Sequence, residues 1–196
     1  AVRHHHADEL RGLRAADDHI SYIVYEADNL AAASDRRALE EGGGGFSAAA
    51  NLESVFNLFG GAAGEKCKEA FYLRGLTETG QLLFPAAQRE MQASVSEYQD
   101  LYQHLEANFL RRSPGKMQIN ELLRVLEALL SYVPSSTARA EAADISLYDH
   151  LRLTAAYAAS MYRYFAAHGI TNYKRHTTGE GARAMRKEPM YLLVSA

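Results

Sequence analysis

The sequence predicts a mainly α protein with one small β-hairpin and a strand at its C-terminal end. Three observations carry this. Apolar residues recur at spacings of three and four over long stretches, the signature of helices with one buried face. Gly and Pro clusters punctuate those stretches. Few segments read as strand.

Ala15, His19, Tyr22, Ile23, Glu26, Ala27 and Leu30 predict a helix over residues 15 to 33, with Asp17 and Asp18 in its first turn, where they suit the helix dipole. The run Gly42 to Gly45 ends any helix, at about 1 kcal/mol per Gly relative to Ala. It lacks the Lys-Ser/Thr of a P-loop and reads as a plain loop. Leu52 to Phe59 is a short apolar segment. A hairpin is predicted from Ala70–Leu73, a turn near Thr79-Gly80, and Gln81–Phe84. Pro85 would then open a long helix over 86–112, striped with Met91, Val95, Tyr98, Tyr102, Leu105 and Phe109 and broken by Ser113-Pro114-Gly115. A further helix carries Leu122, Leu123, Leu126, Leu129 and Leu130, with Asn120 as its expected cap. Pro134 to Thr137 reads as a turn. The last long helix spans 146 to 167, with Leu147, Leu151, Ala155, Ala158, Met161, Tyr162 and Phe165 as its stripe and Gly169 as its stop. Residues 171–188, rich in Lys and Arg, read as an exposed tether, with nucleic-acid binding as the alternative.

Composition excludes several classes. The chain has 196 residues, 47% hydrophobic and 23% charged, which is ordinary globular usage. Its formal net charge of −3 argues against a uniformly basic nucleic-acid wrapper. The single Cys67 leaves no intrachain disulfide and no Cys-based zinc finger, and a reduced, cytoplasmic setting is expected. Its neighbours Lys66 and Lys68 could lower its pKa, but no base is placed beside it, so it reads as an ordinary thiol. No apolar run reaches the roughly 18 to 20 residues that span a bilayer. Met190 to Ala196 reads as a buried strand that stops as soon as it forms, so the chain is expected to be a piece of a longer one.

Three places hold residues suited to chemistry. His4-His5-His6 supply neutral imidazoles, the commonest nitrogen ligands of transition metals. Helical neighbours diverge by about 100°, so three in a row cannot all chelate one ion; surface histidines are the alternative. Asp28 lies among Val24, Tyr25, Ala27 and Leu30, where a carboxylate costs several kcal/mol unless a cation or metal pairs with it. Either a metal or Arg36/Arg37 would serve. Asp149-His150 follows Ser146, and reads as a capping arrangement with a packed His more readily than as a metal pair.

Several strings together resemble one family, the large signature subunit of type III-A CRISPR effector complexes, which carries an HD nuclease and a Palm polymerase. Val2-Arg-His-His-His-Ala7 resembles its HD segment with two consecutive histidines, which puts the pair on His5 and His6. Tyr22 to Ala32, followed by Asp35-Arg36-Arg37, is similar to its helix with the last HD aspartate, which puts that ligand on Asp28. Leu52 to Phe56, Val133 to Thr137, Asp144 to Ala156 and Tyr191 to Ser195 follow in the same order, the last as the opening Palm strand.

The resemblance implies an HD-domain-like helical bundle. It divides the chain into residues 1–168 (the later part of the HD domain with a helical connector), a linker at 169–189 and the first strand of a truncated α/β Palm at 190–196. It implies His5, His6 and Asp28 as catalytic metal ligands, with His4, Asp149 and His150 as weaker candidates. The metal would be a divalent Mn, Ni or Co. The parent would cleave single-stranded DNA and make cyclic oligoadenylates from ATP and Mg, the latter in the absent Palm. Its partners would be other subunits and, indirectly, guide and target RNA, with no membrane. The upstream His-Asp motif is absent, so the chain alone is expected to have little or no nuclease activity. A non-catalytic helical docking module and an independent HD-type phosphohydrolase are the other readings.

Overall fold

The computed structural model describes residues 10, 16–39, 43–47, 50–58, 68–75, 84–87, 94–109 and 118–188. His4, His5, His6, Cys67, the Thr79-Gly80 turn, the 113–115 break and the terminal strand lie outside the described residues. The fold is mainly α: α1 (Ser21–Asp35), a 3-10 turn at Val55–Leu58, β1 (Glu69–Ala70), β2 (Ala86–Ala87), α2 (Val95–Phe109), α3 (Ile119–Leu130), α4 (Leu147–Ala167), α5 (Tyr173–Thr177) and α6 (Gly179–Met185). No helix among the described residues is long and apolar enough to cross a membrane. The chain divides into two compact units, residues 1–35 with 151–196, and residues 36–150.

The described residues of the first unit pack around an apolar cluster. Ile23, Ala27 and Ala31 of α1 pack with Tyr157, Met161 and Phe165 of α4 and with Met185 of α6. The α1 spacing of four and the α4 spacing of four follow the 3.6-residue period, so each helix presents one stripe. Helix α1 begins at Ser21 rather than residue 15; Asp17 and Asp18 form a turn ahead of it. The buried face of α4 runs through Thr154, Tyr157, Met161 and Phe165, while Leu151 and Tyr162 are exposed. Helix α4 stops as Gly169 predicts. Gly169 takes φ +64°, Ile170 N–H donates to the Phe165 carbonyl at 2.9 Å, and Gly169 N–H donates to that of Ala166 at 3.3 Å. This pair of bonds satisfies carbonyls that the helix end would orphan, and Ile170 then packs against the core.

Within the stretch read as a linker, 169–189, the segments Tyr173–Thr177 and Gly179–Met185 are instead ordered as α5 and α6. Asn172 caps α5 by accepting from Arg175 N–H at 2.9 Å and donates to Asp17 at 3.1 Å. Thr177, Ala182 and Met185 are buried, so the segment adds to the core. A side chain at Gly181 would collide with the Arg175 carbonyl, which is why the two short helices can cross so closely.

Among the described residues, the second unit is knitted by extended segments and a two-stranded sheet. Phe46 bridges Ala138, Ala38 bridges Glu141, and Glu53 bridges Ala70. Gly45, at φ +91°, accepts from Arg139 N–H at 3.0 Å, so the glycine run delivers the chain into this pairing. The hairpin strands are two residues each, Glu69 opposite Ala87 and Ala70 opposite Ala86. Ala86 and Ala87, expected to start a helix, are therefore strand. Helix α2 starts later because Ser94 and Glu97 form a capping box. Glu97 N–H donates to Ser94 Oγ at 3.3 Å, and Ser94 N–H donates to Glu97 Oε2 at 2.8 Å. Helices α2 and α3 pack together. Asn120 lies inside α3, whose cap is Gln118. Tyr98 donates to the Ala50 carbonyl at 2.8 Å, and burial pushes its phenol above the ordinary value.

Candidate functional site

Of the three carboxylates of helix α1, Glu26 and Asp28 have opposite fates. Glu26 belongs to the apolar stripe and is 3% exposed. Arg186, at the end of α6, donates to it from Nε at 2.6 Å and from Nη2 at 3.0 Å, a bidentate fork that satisfies both oxygens. Asp28 follows two residues on, about 200° around the helix, and is half-buried. The deeply buried carboxylate of this helix is thus Glu26 rather than Asp28, and its cation comes from the stretch expected to be a tether.

The arginines weighed as partners of Asp28 engage other carboxylates. Arg37 donates to Asp144 Oδ2 from Nε at 3.1 Å and from Nη2 at 2.8 Å, and Arg36 Nε lies 3.6 Å from Glu141. Of the expected ligand set His5, His6 and Asp28, the described residues hold Asp28. Among the described residues no group of three His, Cys, Asp or Glu side chains is placed to hold a metal ion. The donor chemistry of the set, two imidazoles and a carboxylate, suits a first-row divalent metal.

Asp149 and His150 have a local explanation. Ser146 Oγ accepts from Asp149 N–H at 3.0 Å and donates to the Asp149 carboxylate at 2.7 Å, closing the first turn of α4. Pro134 bridges Ser146, and Leu147 N–H donates to the Val133 carbonyl at 2.6 Å, so the 133–137 segment seats this cap. His150 is buried at the next position. Ser146→Ala is expected to cost about 1 kcal/mol, read as a lower midpoint in thermal melts with helix content at low temperature unchanged.

The comparisons with known proteins bear on the whole chain. No family model matches it. Curated relatives named CRISPR system single-strand-specific deoxyribonuclease Cas10/Csm1 (subtype III-A) do. The Enterococcus italicus protein is 32% identical over 100% of this chain and 26% of its own length. The Streptococcus thermophilus protein is 34% identical over 99% and 26%. The chain belongs to the Cas10/Csm1 family. A third relative, from Mycobacterium tuberculosis, is 33% identical over 89% of this chain and 22% of itself. The chain therefore spans about a quarter of the length of these Cas10/Csm1 relatives. Csm1 of Thermococcus onnurineus is a structural neighbour, with a TM-score of 0.52 and 29% identity, over 76% of this chain and 17% of that one.

Proposed function

We propose that this chain is part of the metal-dependent, single-strand-specific deoxyribonuclease of a type III-A CRISPR complex. The observation that carries the reading is the match over the full chain at 32–34% identity to Cas10/Csm1 proteins named for that activity. The fixed side of α1 supports it. Glu26 and Arg186 pin one face of the helix, leaving Asp28 on another face as a half-buried carboxylate.

In this reading His5, His6 and Asp28 hold a divalent Mn, Ni or Co ion. The bound ion would act as a Lewis acid toward a phosphodiester and lower the pKa of water. Asp28 would supply the anionic oxygen, and the histidines would supply neutral nitrogens fixed by bonds from their second ring nitrogen. Synthesis of cyclic oligoadenylates from ATP and Mg would belong to Palm sequences outside this chain, which has no Gly-Gly-Asp-Asp run. Other subunits of the complex would be its partners, with guide and target RNA held through them, in the cytoplasm.

The test has two readouts. Manganese binding followed by EPR on the chain is expected to weaken at least tenfold in Asp28→Ala. In the complete Cas10/Csm1 protein carrying this segment, Asp28→Ala with His5→Ala and His6→Ala is expected to lower manganese-dependent cleavage of a labelled single strand at least 100-fold. The chain alone should cleave little or not at all. Cleavage that survives the triple substitution removes these residues from the reaction.

A further inference from the structure

A carboxylate serves as a metal ligand only if its helix holds it in place. It stands about 6 Å from the helix axis, so a rotation of about 10° carries it about 1 Å. A working site tolerates about half of that. Whatever fixes the rotation of α1 is therefore part of the chemistry proposed for Asp28.

The apolar contacts of α1 fix its rotation weakly. Apolar attraction is non-directional, and of the α1 residues in the core cluster, Ala27 and Ala31 offer a single methyl each. The polar contacts are directional. Ahead of the helix, Asn172 donates to Asp17 at 3.1 Å, and Lys174 Nζ lies 3.5 Å from the same carboxylate. In the last turn, Ser34 Oγ lies 3.1 Å from Tyr157 Oη. Between these ends stands the Glu26–Arg186 fork, with bonds of 2.6 and 3.0 Å. A planar guanidinium on a planar carboxylate sets an orientation as well as a distance. Glu26 is two residues from Asp28, about 3 Å along the axis.

The other end of the fork is itself held. Ala182 and Met185 of α6 are buried, and Arg186 N–H donates to the Ala182 carbonyl at 3.0 Å. The guanidinium thus reaches α1 from a backbone fixed to the core. A buried ion pair adds little stability over an apolar pair of similar size. What it adds here is direction, at the turn of α1 that carries Asp28.

We infer that Arg186 is a positioning residue of the metal site: through Glu26 it sets the rotation of α1 and so the place of the Asp28 carboxylate. The inference rests on the reading of Asp28 as a metal ligand. It adds that affinity for the ion is set in part from the end of α6, far along the chain from the proposed ligands.

The experiment separates affinity from stability. Manganese binding is followed by EPR on the full chain for the unmodified protein, Asp28→Ala, Arg186→Lys, and Glu26→Leu with Arg186→Met, with thermal melts of the same samples. Loss of a group that directly orients a metal ligand costs 10–100-fold in affinity, so a group acting through the helix should cost less. The Glu26→Leu, Arg186→Met variant is expected to melt near the unmodified midpoint and still bind manganese at least threefold more weakly. Arg186→Lys keeps the cation and loses the fork. It should recover most of the midpoint lost in Arg186→Ala, and bind at least twofold more weakly than the unmodified chain. In the complete Cas10/Csm1 protein carrying this segment, both should raise the manganese concentration for half-maximal cleavage by a larger factor than they lower the rate at saturating manganese. A purely structural role would move midpoints and leave affinity alone. Unchanged affinity in both variants, with binding still weakened by Asp28→Ala, would overturn the positioning role and leave the metal reading standing. Unchanged affinity in Asp28→Ala would overturn both.

Discussion

Phe165→Ala is expected to cost about 3–5 kcal/mol, a large part of the stability of a domain this size. The ring is fully buried, 0% exposed, in the cluster that joins α1, α4 and α6. It stacks on Tyr173 and touches Tyr164 and His176, so its loss opens a cavity bordered by rings that cannot collapse into it without leaving their own partners. The backbone carbonyl of residue 165 still accepts from Ile170, so the helix stop survives and the loss is one of packing. Urea unfolding should show a lower midpoint with an unchanged slope. Tyr162→Ala, one turn away and half exposed, should change stability by no more than about 0.5 kcal/mol.

Arg186→Ala is expected to cost about 2–3 kcal/mol. It strips two donors from a carboxylate that is 3% exposed and leaves a charge with no water to replace them. The guanidinium is itself 45% exposed, which keeps the cost below that of a fully buried pair. Glu26→Leu with Arg186→Met removes both charges together and should be nearly neutral or stabilising, since the desolvation of the carboxylate disappears with its partner. Thermal melts of Glu26→Leu, Arg186→Met and the double variant form a cycle. A double variant as unstable as Arg186→Ala would show that the fork is not what holds α6 to α1.

The parts legible in the sequence were those in which one residue type forces one geometry. The stripe Tyr22, Ile23, Glu26, Ala27 was readable because the period repeats over several turns, and it even included the carboxylate that proved buried. Gly169 was readable because a left-handed stop favours glycine. The Ser146–Asp149 cap was readable from its spacing. The same spacing at Ser94–Glu97 was available and would have moved the start of α2 from Pro85, whose missing N–H suits a strand end as well as a first helical turn. The α4 face was misplaced because Thr154 and Tyr157 fill buried positions while Leu151 and Tyr162 are exposed. The charged 171–188 stretch read as a tether because short helices have weak local signals; what orders it is Met185 and Arg186 reaching α1, a contact between positions about 160 residues apart. Such pairings carry no local pattern. Asp28 was singled out by its neighbours in sequence, and the histidines proposed to share its ion lie outside the described residues.

The first unit draws its core from both ends of the chain, residues 1–35 and 151–196, with residues 36–150 between them. During synthesis, α1 leaves the ribosome long before α4, α5 and α6 exist. At about 5–20 residues per second, it waits on the order of ten seconds with Ile23, Ala27 and Glu26 uncovered. The intervening unit has all its partners first, so it can complete itself while the terminal unit is still half made. A chaperone that engages nascent chains would find its target in α1, and its hold should end when Phe165 and Met185 emerge.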